Sequence, residues 1–208
     1  MIEYIVPGNI DNRILAKTAE LLTNGGTVAI PTDTSWSIVC SMKSREGLKR
    51  LRLLSKERDE RRFTLLCSEI SQFGEFCSLD NSRFRLIKRL TPGPYVFILK
   101  TLLGTEKALG LKRQEIGIRL PDYPVPAALI NALGCPLYGV TAKRETPHDT
   151  PVEEVESLFD GGWEMDDIQG LDLILDPGED RNRIFSTVLD LSSGEIQLLR
   201  QGAGHWPV

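Results

Sequence analysis

The chain has 208 residues, 41% of them hydrophobic and 26% charged, which suits one globular domain and excludes a disordered or fibrous chain. Basic residues number 25 and acidic residues 29, so the net charge of -4 offers no overall attraction for nucleic acid, and any phosphate recognition has to come from a local basic patch. No stretch reaches the roughly 18 uninterrupted apolar residues of a membrane helix, and the opening MIEYIVPGNIDNR has no basic segment leading into an apolar run. A soluble, cytoplasmic protein without a leader peptide or membrane partner is the expectation.

In chain order, residues 11–24 (DNRILAKTAELLTN) place Ile14, Leu15, Ala19, Leu21 and Leu22 near helical spacing, with Asp11 as cap and Asn24-Gly25-Gly26 as stop. Thr27 to Ile30 is a short β-branched run closed by Pro31, and Ser35 to Met42 can form a second strand. Ser44-Arg45-Glu46 followed by GLKRLRLL predicts a helix with a basic outer face. Phe63 to Ser68 reads as a strand, and Asn81 to Leu90 as a helix with Phe84, Ile87 and Leu90 on one side. Thr91-Pro92-Gly93-Pro94 must end that helix, since its two prolines and a glycine cannot continue it. Tyr95 to Lys100 is the clearest strand, Ile116 to Leu120 another, and Val125 to Leu133 a short helix ended by Gly134. Leu137 to Thr141 and Leu171 to Leu175 read as strands, and Thr187 to Leu191 and Ile196 to Leu199 as a hairpin turning through Ser192-Ser193-Gly194. Between them, residues 144–170 are the least regular, with a short helix expected over 152–159 and the acidic side chains on a solvated face. Strands and helices alternate without a repeat or linker, which implies a mixed, twisted sheet with helices packed on it.

Six polar clusters fall at the ends of these strands: PTDT (31–34), SKERDERR (55–62), TPGP (91–94), IRLP (118–121), TAKRE (141–145) and LLRQGAG (198–204). In open α/β folds ligands gather where strands end and loops begin. Each cluster also has a plainer reading. PTDT can be a turn whose Thr and Asp satisfy backbone groups, and TPGP can be punctuation. Arg119 resists such a reading, because a guanidinium inside an apolar strand needs a carboxylate, phosphate or carbonyl partner. Lys49, Arg50, Arg52, Lys56, Arg58, Arg61 and Arg62, tempered by Glu57, Asp59 and Glu60, are either a solvated face or a rim whose arginine forks match phosphate oxygens.

Other chemistries find little support. There is no GxGxxG and no GxxxxGK[ST] for a nucleotide loop, and no GxSxG for a serine nucleophile. Cys40, Cys67, Cys77 and Cys135 are widely spaced, and His148 and His205 lie far apart, so no metal site is expected. The thiols read as buried residues of a reducing compartment.

Taken together and in order, GGTVAIPTDTSWSIVC, FTLLC, TPGPYVFILK, IGIRLPDYP, CPLYGVTAK, FSTVLDL and LLRQGAG resemble the YrdC-like family over about residues 10–204. RRFTLLCSEIS and TPGPYVFILK look most like its YciO branch. The resemblance implies a single YrdC-like domain over 1–208, a twisted open mixed α/β sheet flanked by helices with a concave, positively charged cavity. It also implies L-threonylcarbamoyladenylate synthesis from L-threonine, bicarbonate and ATP for tRNA modification, with Mg²⁺ carried by the ATP and no tightly bound cofactor. By that likeness Thr32, Thr34, Arg119 and Ser186 would bind threonine, with Arg119 on its carboxylate. Lys56 and Arg58 would match the family's KxR element, Thr141 the serine of its SxN element, and Arg200 would help hold the nucleotide.

The chain departs from the family pattern at several of these positions. Trp36-Ser37 replaces the aromatic-glycine pair, and Lys143 replaces the SxN asparagine with a group that donates but cannot accept. Arg144-Glu145-Thr146 follow where small polar residues are usual, and Lys56 and Arg58 align only with a one-residue deletion before Phe63. A YciO-type paralogue that binds nucleotide or double-stranded RNA or tRNA without synthase activity is the alternative expectation.

Overall fold

A computed structural model describes residues 1–55, 63–103, 114–144, 155–181 and 183–206. Its strands are β1 (Ile2–Tyr4), β2 (Val28–Ile30), β3 (Ser37–Ser41), β4 (Thr64–Leu66), β5 (Tyr95–Lys100), β6 (Glu115–Arg119), β7 (Leu137–Thr141), β8 (Leu173–Asp176), β9 (Thr187–Asp190) and β10 (Gln197–Arg200). They form one mixed sheet in the order β1-β8-β2-β3-β7-β4-β6-β5-β9-β10. The helices are α1 (Asn12–Thr23), α2 (Arg45–Ser55), α3 (Ser71–Phe76), α4 (Asn81–Leu90) and α5 (Pro124–Leu133).

The local chemistry explains the helix ends. The Asp11 carboxylate accepts from the backbone N–H of Arg13 at 2.7 Å at the start of α1, and Asp80 does the same for Arg83 at 2.8 Å at the start of α4. Pro124 opens α5, where its missing N–H costs nothing, and Gly134 ends it at φ +72°, a conformation that favours glycine.

Strand alternation sorts side chains to two faces. On one face Ile38, Cys40, Leu65, Phe97, Ile118, Tyr138 and Ile174 pack with Leu51 of α2 and with Phe73. On the other, Val39, Leu66, Leu137, Leu173 and Leu175 pack with Leu22 of α1 and with Leu129 and Ile130 of α5. Helices α1 and α5 pack on each other, and the same sheet face continues past them across β4, β5, β6 and β9.

Several sequence expectations change. The edge strand β1 pairs in parallel with β8 (Ile2↔Ile174), and α3 is a further helix; neither shows in the local pattern. Ile87 is fully buried on α4, but Phe84 is 38% exposed. Of the helix expected over 152–159, the described part is one 3₁₀ turn, Val155–Ser157, and a second such turn spans Gly162–Met165. The acidic residues there are not simply solvated: Glu164 is ion-paired with Arg144 and Asp160 with Arg183. On the basic face of α2, Arg50 is engaged by Asp172 at 2.8 Å.

Candidate ligand-binding site

The uncovered part of the second sheet face is the floor of a cavity of about 210 Å³. Its lining follows from strand parity. In β6, Ile116 and Ile118 face the first core, so Arg119 must face the cavity; in β7, Tyr138 faces that core, so Gly139 and Thr141 face the cavity. Ser37, Thr64, Leu66, Val96, Ile98 and Val188 complete the floor by the same rule. Gly139 keeps the floor low, since a Cβ there would lie 3.3 Å from both Leu66 Cδ1 and Val39 Cγ1.

Arg200 reaches this face through an irregularity. In the β9–β10 hairpin Leu198 pairs with Leu189, but Arg200 pairs with Val188, so the register shifts by one residue between them. Without the shift Arg200 would oppose Thr187 and point to the opposite face. The bulge instead brings Leu199 and Arg200 together to the cavity wall.

At one end of the cavity lies a buried polar cluster. Arg119 is 5% exposed; its Nη1 donates to Thr34 Oγ1 at 3.1 Å and to Ser186 Oγ at 2.6 Å, and its Nη2 donates to Asp33 Oδ1 at 2.5 Å. Burial holds the guanidinium pKa below its ordinary value; Asp33 opposes that shift and the like charge of Arg200 adds to it. Arg119 Nε and Asp33 Oδ2 are buried and have no hydrogen-bond partner among the described residues. Thr32 lies deeper and serves the turn: its hydroxyl donates to the Ser35 carbonyl at 2.7 Å and accepts from the Thr34 N–H at 3.2 Å. Arg181 braces the same turn by donating to the Thr32 carbonyl at 2.5 Å, with its guanidinium 4.4 Å above the Tyr123 ring.

Lys143 and Arg200 also line the cavity. The ammonium of Lys143 lies 5.4 Å from the centroid of the Phe185 ring, and the guanidinium of Arg200 lies 4.8 Å from it. Arg200 Nε also donates to the Ser186 carbonyl at 3.0 Å, and Lys143 forms an isolated bridge with Leu158. The segment carrying Leu158 is tied to the sheet by Trp36, whose Nε1–H donates to the Asp160 carbonyl at 3.3 Å. Trp36 is fully buried.

Of the residues singled out from sequence, Arg119, Thr141, Lys143, Ser186 and Arg200 line the cavity. Thr34 stands directly behind Arg119, and Thr32 is one hydrogen bond farther back. Lys56 and Arg58 lie outside the described residues. Sequence reasoning passed over Phe185, Arg181 and the pairing of Asp33 with Arg119. An aromatic beside a predicted strand carries no signal of the cations it will meet; the PTDT carboxylate facing an arginine in an apolar strand was the one available hint. Among the described residues no group of three or more His, Cys, Asp or Glu could hold a metal ion, and no helix is long and apolar enough to cross a membrane.

Comparison with known proteins gives consistent matches. The Sua5/YciO/YrdC family model, described as telomere recombination, matches residues 20–202. The uncharacterized protein YciO of Escherichia coli K12 is 31% identical over 205 residues, covering 97% of this chain and 95% of that protein. The crystal structure of E. coli YciO superposes with a TM-score of 0.84, covering 99% of this chain and 97% of that one at 30% identity. The mouse threonylcarbamoyl-AMP synthase is 27% identical over 195 residues, 90% of this chain and 66% of that protein. The crystal structure of P. abyssi Sua5 complexed with L-threonine has a TM-score of 0.81 at 21% identity, over 97% of this chain and 57% of that one, a likeness of fold.

Proposed function

This chain belongs to the Sua5/YciO/YrdC family, and from that premise we propose that it is an L-threonylcarbamoyladenylate synthase. The substrates are L-threonine, bicarbonate and ATP carrying its own Mg²⁺, and the products are threonylcarbamoyl-AMP, pyrophosphate and water. Sequence similarity to the mouse threonylcarbamoyl-AMP synthase supports the reading. The observation that carries it is the convergence of Arg119, Thr141, Lys143 and Arg200, from three strands and a loop, on one cavity whose described lining holds no carboxylate. An amino-acid carboxylate and a polyphosphate both need fixed cations, and adenylate chemistry proceeds largely by positioning and charge stabilisation.

In this reading Arg119 and Ser186, backed by Thr34 and the turn that Thr32 holds, receive the amino acid; the P. abyssi relative of like fold is a complex with L-threonine. Thr141, Lys143 and Arg200 receive the nucleotide, with Lys56 and Arg58 as further phosphate contacts. The adenylate product serves modification of an adenosine in tRNA.

A second reading is favoured by the engagement of Arg119. Its Nη2 already donates to Asp33 Oδ1, and Lys143 supplies no acceptor where the family has an asparagine. On that reading the chain binds nucleotide, or the phosphates of RNA or tRNA, without turning over.

The deciding assay is ATP-dependent pyrophosphate release with bicarbonate and L-threonine, run beside D-threonine and no amino acid. Release that requires L-threonine establishes the synthase. ATP or RNA binding with no threonine-dependent release establishes the second reading, and RNA affinity indifferent to salt argues against a phosphate-reading surface.

A further inference from the structure

Two cations in the cavity wall share one aromatic ring. Lys143 follows the central strand β7 and Arg200 ends the edge strand β10, yet both cations rest on the ring of Phe185, at 5.4 and 4.8 Å from its centroid. Their charged ends are therefore no farther apart than the sum of those two distances. Phe185 is itself only 6% exposed and is absent from the lining, while both cations are in it. The ring thus stands behind the wall and the charges stand in it.

Each cation is fixed by a second contact of another kind. The Arg200 guanidinium is oriented by the Ser186 carbonyl, one residue after the ring, and the Lys143 backbone is pinned to Leu158 by a bridge. The Phe185 carbonyl in turn accepts from the Ala203 N–H at 2.9 Å, which binds the ring's own backbone to the chain just after Arg200. A lysine normally loses much side-chain freedom when it grips a ligand. Here the attraction of the ring face for cations removes part of that freedom beforehand, and pre-organisation of this kind raises affinity without adding a contact. Two like charges held on one ring also repel each other; a ligand with two anionic centres can meet each cation separately, where a single centre has to be shared between them.

We infer that Phe185 is a positioning residue that holds Lys143 and Arg200 as a paired cation clamp, selecting ligands with a chain of two or more phosphates over monophosphates. The inference rests on the nucleotide reading above for its biological ligand, but the clamp itself answers to inorganic polyphosphate.

The test is calorimetric titration of the full chain with ATP, AMP and inorganic tripolyphosphate. The variants are Phe185→Leu, Phe185→Tyr and Lys143→Met, each checked for fold by circular dichroism. Phe185→Leu is expected to weaken ATP and tripolyphosphate by about tenfold and AMP by less than about threefold. Phe185→Tyr retains the wild-type preference, and Lys143→Met in the Phe185→Leu background adds little further loss. Equal weakening of ATP and AMP makes the ring a mere wall and overturns the clamp, as does an unchanged preference or full additivity of the two substitutions. Should Phe185→Leu fail to fold, Lys143→Met decides: a loss confined to the polyphosphates supports the clamp, and a loss shared with AMP overturns it. Tripolyphosphate binding that depends on Phe185 in a chain that ignores ATP sinks the synthase reading and leaves the clamp standing. Failure of the wild type to bind either polyphosphate sinks both.

Discussion

Replacing Arg119 with alanine leaves the Asp33 carboxylate buried beside two hydroxyls, Thr34 and Ser186, that had been accepting hydrogen bonds. The side chains of Arg119 and Asp33 are 6% and 12% exposed, so water replaces the lost partner poorly. Removing one member of such a pair costs about 3–5 kcal/mol, mostly the penalty of the charge left behind. For a chain of this size that corresponds to a fall in Tm of about 6–20 °C. Urea denaturation followed by tryptophan fluorescence measures the cost directly. The decisive comparison is the double variant Asp33→Ala/Arg119→Ala, which removes both charges and is expected to recover about 1–3 kcal/mol relative to the sum of the single losses. A single Arg119→Ala that costs less than about 1 kcal/mol, or a double variant that is strictly additive, refutes the ion pair as a structural element. Arg119 would then act on a ligand alone.

Asp172 and Glu164 make stability depend on acid. Burial alone would raise the Asp172 pKa, but donors from Arg50 and from the Thr27 N–H outweigh it and hold it below its ordinary value; Glu164, under the same opposition, is held down by Arg144 and by the N–H groups of Asp160 and Gly161. A folded pKa below the unfolded one gives stability that is present above the ordinary carboxylate range and is lost as pH falls through the folded pKa. Stability should thus fall from about pH 4 downward, and Asp172→Asn should flatten that slope; an unchanged slope in urea midpoints against pH contradicts the assignment. All four cysteines are buried, and burial pushes the thiols of Cys40 and Cys77 up to about 12, with Cys67 also raised by burial. Thiol titration with a chromogenic disulfide should find them silent in the native chain and reactive in urea; rapid native labelling of any of these three contradicts the packing.

Most strands were legible because their apolar runs are local: Tyr95 to Lys100, Leu137 to Thr141 and the final hairpin need only their own pattern and turn residues. Arg119 was legible as a residue in need of buried partners because a charge flanked by Ile116, Ile118 and Leu120 contradicts its surroundings. What escaped was set by distant pairing. β1 is three residues whose strand character comes from a parallel partner some 170 residues on. The Asp33–Arg119 pair spans 86 positions. The register shift before Arg200 depends on how β10 seats on β9, and LLRQGAG does not reveal it. Phe185 acquires its neighbours only when a loop after β7 and the last strand arrive beside it.

The parallel pairing of β5 with β9 bears on how the molecule is made. A crossover of this length forms slowly, because chain closure must precede any reward from contacts. Until β9 inserts, Ser186 and Phe185 have nowhere to stand, and Arg200, which hangs from β9 through β10, is absent as well. The wall of the cavity that Arg200 and Ser186 form is therefore complete only once β9 and β10, among the last strands of the chain, have docked.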